Sequence, residues 1–331
     1  MPDGDQALDL WTLSDLCTPW CIRVAVTLHI AEHIDAGITD IDGLAEVTSC
    51  DAYALHSMLS HLAEKGVFVE SPVGQFALND TSRGLLDAAM FLSLDGIGGR
   101  MAQVWSTLPS FVQSGKSAYA EIFGKPYWED LTEHPDIGAE FDALMSYTGH
   151  GTPDASLELR DGWGNVRTVV DVGGGTGAML AELLRARPTL RGILVDLPAT
   201  VARATAVLET AGVTDRVRLV AQSFFDPLPA GADVYLLRKV LNDWPDRETV
   251  DILRRCADAA RPSGVVVVIG GVYPDAVPRP ISVDMLLVGG HHNTLSEFSV
   301  LAREAGLDVM TASEGLSHYM VECRPRARPT D

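Results

Sequence analysis

This chain has no apolar run long enough to cross a bilayer, few cysteines and a shortage of positive charge. Its longest apolar stretch, Val265 to Val272, falls far short of the roughly 20 residues that a spanning helix needs. No charged n-region precedes an apolar stretch at the start, so neither a membrane nor export is expected. The five cysteines, Cys17, Cys21, Cys50, Cys256 and Cys323, are odd in number and lack the paired C-x-x-C spacing of a metal module. Cys17 and Cys21 lie one helical turn apart and read as packed small residues, with no metal expected. Only 25 lysines and arginines face 45 aspartates and glutamates, a net charge of −20, and such a surface repels a phosphate backbone. Nucleic acid is not expected as a partner. The composition describes a reduced, soluble, cytoplasmic protein, and 331 residues leave room for two domains and a large core.

What the chain does have is a nucleoside-binding layout. Val166 to Val172 reads as a buried strand, Gly173-Gly174-Gly175-Thr176-Gly177 as a tight turn, and Met179 to Arg187 as the first crossover helix. Asp196 closes a second apolar strand about nineteen residues beyond Gly177, the distance at which a carboxylate takes two ribose hydroxyls. The glycines alone are ambiguous, because Gly173, Gly175 and Ala178 also satisfy the dinucleotide pattern G-x-G-x-x-A. Asp171 tips the balance. An anion two residues before the first glycine works against a bound pyrophosphate and in favour of a ligand carrying an ammonium and a sulfonium. S-adenosyl-L-methionine is the cofactor that fits.

The alternation then continues with helix Ala199 to Ala211, strand Val217 to Ala221, strand Asp233 to Leu237, helix Asp246 to Ala260 and strand Val265 to Gly270, completed by Leu307 to Met310 and His318 to Arg324. This is an α/β, Rossmann-like doubly wound parallel sheet with its ligand outside the carboxyl ends of the strands. Upstream, Thr18-Pro19 reads as a capped helix start running to Ile34, apolar on most faces and in need of cover, which a second subunit is expected to supply. Gly43 to Val47, Asp51 to Lys65 and a hairpin of Val67-Phe68-Val69 with Phe76-Ala77-Leu78 complete a winged-helix layout. Its sole basic residue there is Lys65, so a homodimerisation role is expected in place of DNA reading. The expected domains are 1–95, the mainly helical winged-helix dimerisation domain; 96–155, a helical linker lining an acceptor pocket; and 156–331, the Rossmann-like catalytic domain. The aromatic set Trp105, Phe111, Tyr119, Phe123, Tyr127, Trp128, Phe141 and Tyr147 reads mostly as core, with a few members, Trp105 among them, lining the pocket.

With Phe123 to Leu131, Phe141 to Met145, Asp171 to Gly177, Asp196-Leu197-Pro198, Phe224 to Pro229 and Asn242-Asp243-Trp244 together, the chain resembles the S-adenosylmethionine-dependent O-methyltransferases shared by plant phenylpropanoid and bacterial polyketide-tailoring pathways. It is most similar in character to those acting on anthracyclines and enediyne aromatic acids. The resemblance implies that Asp171, Gly173 and Gly175 hold the methionine part, Asp196 with Leu197 the ribose, and Phe224 and Trp244 flank the adenine. It also implies Arg238 near the cofactor, and Met145 near the methyl end, with Asp243 and His150 as further acceptor contacts.

Three positions depart from that pattern. Ser223 stands where an aspartate often reads the adenine side, which a hydroxyl can partly replace. Asn242 stands where many members carry the histidine base, and an amide cannot accept a proton at neutral pH; a general base contributes about 10²- to 10⁴-fold. Gly289-Gly290-His291-His292 stands where the pattern has Gly-Gly-Lys-Glu, so His292 and His291 are candidate replacements. The expected activity is methylation of an oxygen on an aromatic or polyketide-derived small molecule in secondary metabolism. Two rivals are a non-methylating tailoring enzyme that retains the cofactor (a hydroxylase, decarboxylase or cyclase) and a dimeric winged-helix regulator.

Overall fold

The computed structural model describes residues 9–147, 155–277, 283–314 and 319–327. Two compact units emerge, Met1–Gln103 and Val104–Asp331. Among the described residues no helix is long and apolar enough to cross a membrane.

In the first unit the long N-terminal helix expected from Thr18 to Ile34 is two helices, Cys17–Thr27 and Ile30–Asp35. The N-cap position falls on Leu16, and the residue before it, Asp15, accepts from the Cys17 and Thr18 amides at 2.8 and 3.3 Å; Thr18 already lies within the helix, so its hydroxyl is not the expected cap. The break falls at His29, left-handed at φ 53°. It redirects the chain so that Ile30, Ala31 and Ile34 join Leu44, Leu55, Leu59, Leu62, Phe68 and Phe76 in one core. Redirection accounts for part of the dense apolar surface, yet Leu10, Trp11, Leu13, Leu16 and Trp20 stay exposed.

Helix Ile41–Thr48 is capped by Asp40 and helix Ala52–Glu64 by Asp51, short polar residues that satisfy the first free amides. The latter buries Leu55, Leu59 and Leu62 along one stripe. Each such side chain contributes about 1.5–3 kcal/mol, which outweighs intrinsic propensity in so short a helix. Strands β1 (Phe68–Glu70) and β2 (Phe76–Leu78) pair antiparallel. Glu70 holds their turn to that helix, accepting from the Gly74 amide at 2.8 Å and the Ser60 hydroxyl at 2.8 Å.

The second unit is built on a sheet of seven strands: β3 (Thr168–Val172), β4 (Arg191–Asp196), β5 (Val217–Ala221), β6 (Val234–Arg238), β7 (Val265–Ile269), β10 (Leu307–Glu314) and β11 (Tyr319–Pro325). Two further strands, β8 (Val272–Tyr273) and β9 (Asn293–Thr294), form a separate parallel pair. The order is β10-β11-β7-β6-β3-β4-β5. The expectation of a wholly parallel sheet is corrected at one edge, where β11 runs antiparallel to both β7 and β10. Those last two strands follow each other closely, and neighbours without a crossover can only pair antiparallel.

Alternating residues of the central strands feed cores on both faces. Val170, Val172, Tyr235, Leu237, Val266 and Val268 pack one way, and Val169, Val234, Leu236 and Val267 the other, against Leu180, Leu183 and Leu184. Burial on both faces explains the continuous apolar runs. β3 has β4 on one side and β6 on the other, so the strand order reverses at β3. Such a reversal opens a crevice at the carboxyl ends of the strands.

Candidate active site

The glycine run lies in that crevice. Gly173, Gly175 and Gly177 are all left-handed, at φ 66°, 61° and 80°, a region that side chains rarely tolerate. Gly174 is required for a different reason: a Cβ there would stand 2.5 Å from Leu194 Cδ1 and 2.6 Å from the Asp171 carboxylate. The turn is therefore wrapped tightly over Asp171, and its strand-side anchor is the Gly173 amide donating to the Val195 carbonyl at 2.8 Å. Sequence reasoning named Gly173 and Gly175 and passed over Gly174, whose role is a contact and not a conformation.

Asp171 is 1 % exposed, and its Oδ2 is buried with no hydrogen-bond partner. Burial pushes its carboxyl up to about 7, the Arg238 guanidinium pulls it down and the Asp196 carboxylate pushes it up again. A buried, unpartnered carboxylate oxygen is costly, and a cationic ligand relieves that cost. Asp196 differs: its Oδ2 accepts from the Gly175 amide at 2.8 Å and its Oδ1 from its neighbour Leu197 at 2.7 Å. Burial raises this carboxyl while the two amides lower it; Asp142 raises it further and Arg203 opposes that. A carboxylate offers about four acceptor positions, so two remain for a pair of hydroxyls. The open space above Gly175, where a Cβ would meet nothing within 4 Å, the orphaned Asp171 oxygen and the half-used Asp196 together fit an S-adenosyl group.

The aromatic wall is a corner more than a slot. Phe224 and Trp244 meet edge to face, centroids 5.8 Å apart and planes at 90°, so no ring slides between them. Phe224 borders the loop, its Cε1 3.3 Å from the Cβ position of Gly173. Trp244 is enclosed further by Phe225 at 5.0 Å and by Trp128, stacked at 6.2 Å. Ser223 accepts from the Phe225 amide at 3.2 Å, which leaves its hydroxyl hydrogen to donate.

The third group surrounds Asn242, on a short 3-10 turn Leu241–Asp243 after β6. Its Nδ2 donates to Asp243 Oδ1 at 2.8 Å, and its Oδ1 is buried without a partner. Burial pushes the Asp243 carboxyl up to about 8, against the pull of Asn242 and Lys239. Lys239 itself sits left-handed at φ 55°, a strained non-glycine position of the kind that collects at functional sites. Two glycines admit the Asn242 backbone: a Cβ on Gly271 would lie 3.1 Å from Asn242 N, and one on Gly290 would lie 2.8 Å from Asn242 O. That same carbonyl accepts from the His291 amide at 2.8 Å, so the histidine segment is tied to Asn242 through its backbone. Their side chains part. His291 turns to the exposed Asp246, 3.6 Å away, whereas His292 lies against Tyr273, with centroids 5.3 Å apart.

Trp105 begins a 3-10 turn and is 43 % exposed. Met145 belongs to helix Pro135–Tyr147, but its side chain and all of His150 lie outside the described residues. Two contributors went unseen in the sequence. Asp142 and Arg203 form an ion pair that bears on Asp196, and no spacing rule links a helix residue to one 61 positions on.

Residues 105–308 match a family model described as an O-methyltransferase domain. The chain is 37% identical over 318 residues to 2,7-dihydroxy-5-methyl-1-naphthoate 7-O-methyltransferase of Streptomyces carzinostaticus, covering 92% of this chain and 94% of that protein. It is 37% identical over 319 residues to aclacinomycin 10-hydroxylase of Streptomyces purpurascens, covering 92% and 85%. An O-methyltransferase from neocarzinostatin biosynthesis, crystallised with S-adenosylmethionine and 2-hydroxy-5-methyl naphthoic acid, matches with a TM-score of 0.82 and 35% identity over 97% of this chain and 100% of that one. The chain belongs to this O-methyltransferase family and is an S-adenosylmethionine-dependent O-methyltransferase of secondary metabolism.

Proposed function

We propose that this O-methyltransferase acts on a hydroxylated, polyketide-derived aromatic acid of the naphthoic type, and that Asn242 orients the acceptor hydroxyl without deprotonating it. The carrying observation is the state of the Asn242 amide. One of its two N–H groups donates to Asp243, while its buried oxygen, which can only accept, has no partner; an acceptor O–H is the donor that oxygen lacks. The naphthoate methyltransferase and the naphthoic acid complex among the relatives support the substrate class.

When bound, S-adenosylmethionine supplies an electrophilic methyl group. Asp171, Gly173 and Gly175 hold its methionine part, Asp196 and Leu197 the ribose, and Ser223, Phe224 and Trp244 the adenine side, with Arg238 balancing Asp171. Trp105, Asp243, Met145 and His150 contribute to acceptor binding. Accepting the hydroxyl hydrogen fixes the rotation of the acceptor O–H, which aims an oxygen lone pair in line; such positioning supplies a large share of a displacement barrier. Once the oxygen is methylated, the hydroxyl proton held at Asn242 Oδ1, which cannot keep it, passes to water or on to His292, one of the two titratable side chains of the segment tied to Asn242. A phenol with a pKa near 10 is only about one part in a thousand ionised at pH 7, so an acceptor acidified by a neighbouring carbonyl suits this site.

The same reading makes the N-terminal helices and hairpin a winged-helix dimerisation domain, supported by the exposed Leu10, Trp11, Leu13, Leu16 and Trp20. The five unpaired cysteines support a reducing, cytoplasmic compartment. The test of function is incubation with S-adenosylmethionine and a panel of hydroxynaphthoic acids, following S-adenosylhomocysteine and acceptor mass together. One methylene added per S-adenosylhomocysteine formed supports the reading. One relative of equal identity is named a hydroxylase, so an acceptor gaining oxygen with the cofactor intact overturns it. Light scattering of the purified protein tests the dimer.

A further inference from the structure

The N-terminal unit brings together three side chains that the methyl-transfer site does not use. Cys17 and Cys21 lie on one face of helix Cys17–Thr27, their Sγ atoms 3.8 Å apart. His61 reaches the same point from helix Ala52–Glu64, and one ligand atom from each of the three lies within 4.8 Å of the others. From these residues we propose a binding site for a thiophilic cation, Zn²⁺ being the representative, which clips the two helices together.

The geometry carries it. Two thiolates bound at about 2.3 Å to a tetrahedral zinc stand about 3.8 Å apart, which is the separation the helical turn already imposes. Sequence spacing alone, a lone C-x-x-x-C, favoured simple packing because it offers only two ligands; the third comes from 40 positions further on, visible only once the helices pack. The His61 ring is already positioned beside the helix of the two cysteines, its Nε2 2.9 Å from the Thr18 hydroxyl. Two sulfurs and an imidazole select Zn²⁺ or Cu⁺ over Mg²⁺ or Ca²⁺, which prefer oxygen. Cys17 is exposed and Cys21 and His61 are half-buried, so the site has an entry path and leaves a fourth position to water. Thiols must lose their protons to ligate, so metal uptake displaces protons and strengthens with rising pH.

The test is Co²⁺ titration of the reduced full-length protein, read by absorption. The expected result is one equivalent giving tetrahedral d–d bands and a thiolate-to-cobalt charge-transfer band, displaced by one Zn²⁺. Cys21→Ser should abolish the charge-transfer intensity from the pair, and His61→Ala should weaken binding at least as much as the roughly 10- to 100-fold typical of losing an outer-shell partner. A readout independent of the variants is alkylation of the native protein: Zn²⁺ should shield Cys17 and Cys21 while leaving Cys50 reactivity unchanged. No charge-transfer band, a band that persists in the Cys17→Ser, Cys21→Ser double variant, or thiols alkylated equally with and without Zn²⁺ each overturns the proposal.

Discussion

Replacing Asp171 by asparagine should stabilise the empty protein while weakening its hold on the cofactor. Raising a carboxyl from 3.8 to about 7 makes its ionised form about 4 kcal/mol less favourable in the folded chain than in the unfolded one. Asp171→Asn removes that cost in a nearly isosteric way. The new amide N–H₂ takes the place of a partnerless oxygen and itself costs about 1–3 kcal/mol if unpaired, so the net gain at pH 8 is about 1–3 kcal/mol. The sign depends on pH. Because the folded pKa lies above the unfolded one, the wild type binds more protons folded than unfolded between about pH 4 and 7, and loses stability as pH rises through that window. The variant lacks this loss but carries the amide cost at every pH, so it is less stable than the wild type by up to about 1–3 kcal/mol near pH 4 and gains its full advantage by about pH 8. Urea denaturation of the cofactor-free protein at both pH values reads the difference, and calorimetry reads the cofactor. Loss of a charge-assisted contact of about 1.5–3 kcal/mol weakens S-adenosylmethionine binding roughly 10- to 100-fold. A variant equally destabilised at pH 4 and pH 8 would refute the burial argument, and unchanged cofactor affinity would refute the placement of Asp171 in the site.

Other perturbations follow from the same geometry. Gly174→Ala drives a methyl into Leu194 and the Asp171 carboxylate and should cost about 1–3 kcal/mol; an unchanged melting temperature would show that the loop yields freely. Asn242→His restores a base and should raise kcat on a weakly acidic phenol by up to roughly 10²-fold, with a new inflection near pH 6.5 and little gain on a hydroxyl acidified by a carbonyl. His292→Ala should lower kcat about tenfold with KM held, whereas His291→Ala, which breaks only a half-exposed pair with Asp246, should change both by less than about twofold. Equal effects of the two would place the proton elsewhere.

The parts of this protein legible in its sequence are those whose cause is local. Strand β5 and helix Asp246–Ala260 begin and end where apolar periodicity said they would, because each carries its own pattern and is bounded by turns. The N-terminal helix was misjudged for the opposite reason. Nothing local forbids a helix through His29; what breaks it is the tertiary advantage of turning Ile30 and Ile34 into the core shared with Phe68 and Phe76. The antiparallel strand β11, second from the edge, likewise depends on which neighbours it finds. In the site the same division holds. That Asp171, Asp196 and the left-handed glycines lie together at one turn was readable because a βαβ unit fixes their relation within some 25 residues. Gly174, Lys239 and the Asp142–Arg203 pair act through neighbours brought near by the sheet. Asn242 joins the two classes: its identity announces that the usual base is missing, but only the surroundings of its amide, one N–H on Asp243 and a buried oxygen with no donor, point to the oxygen as the end left to meet a substrate. A residue type can tell which chemistry is impossible at a position, and the partners it has already taken tell which chemistry remains.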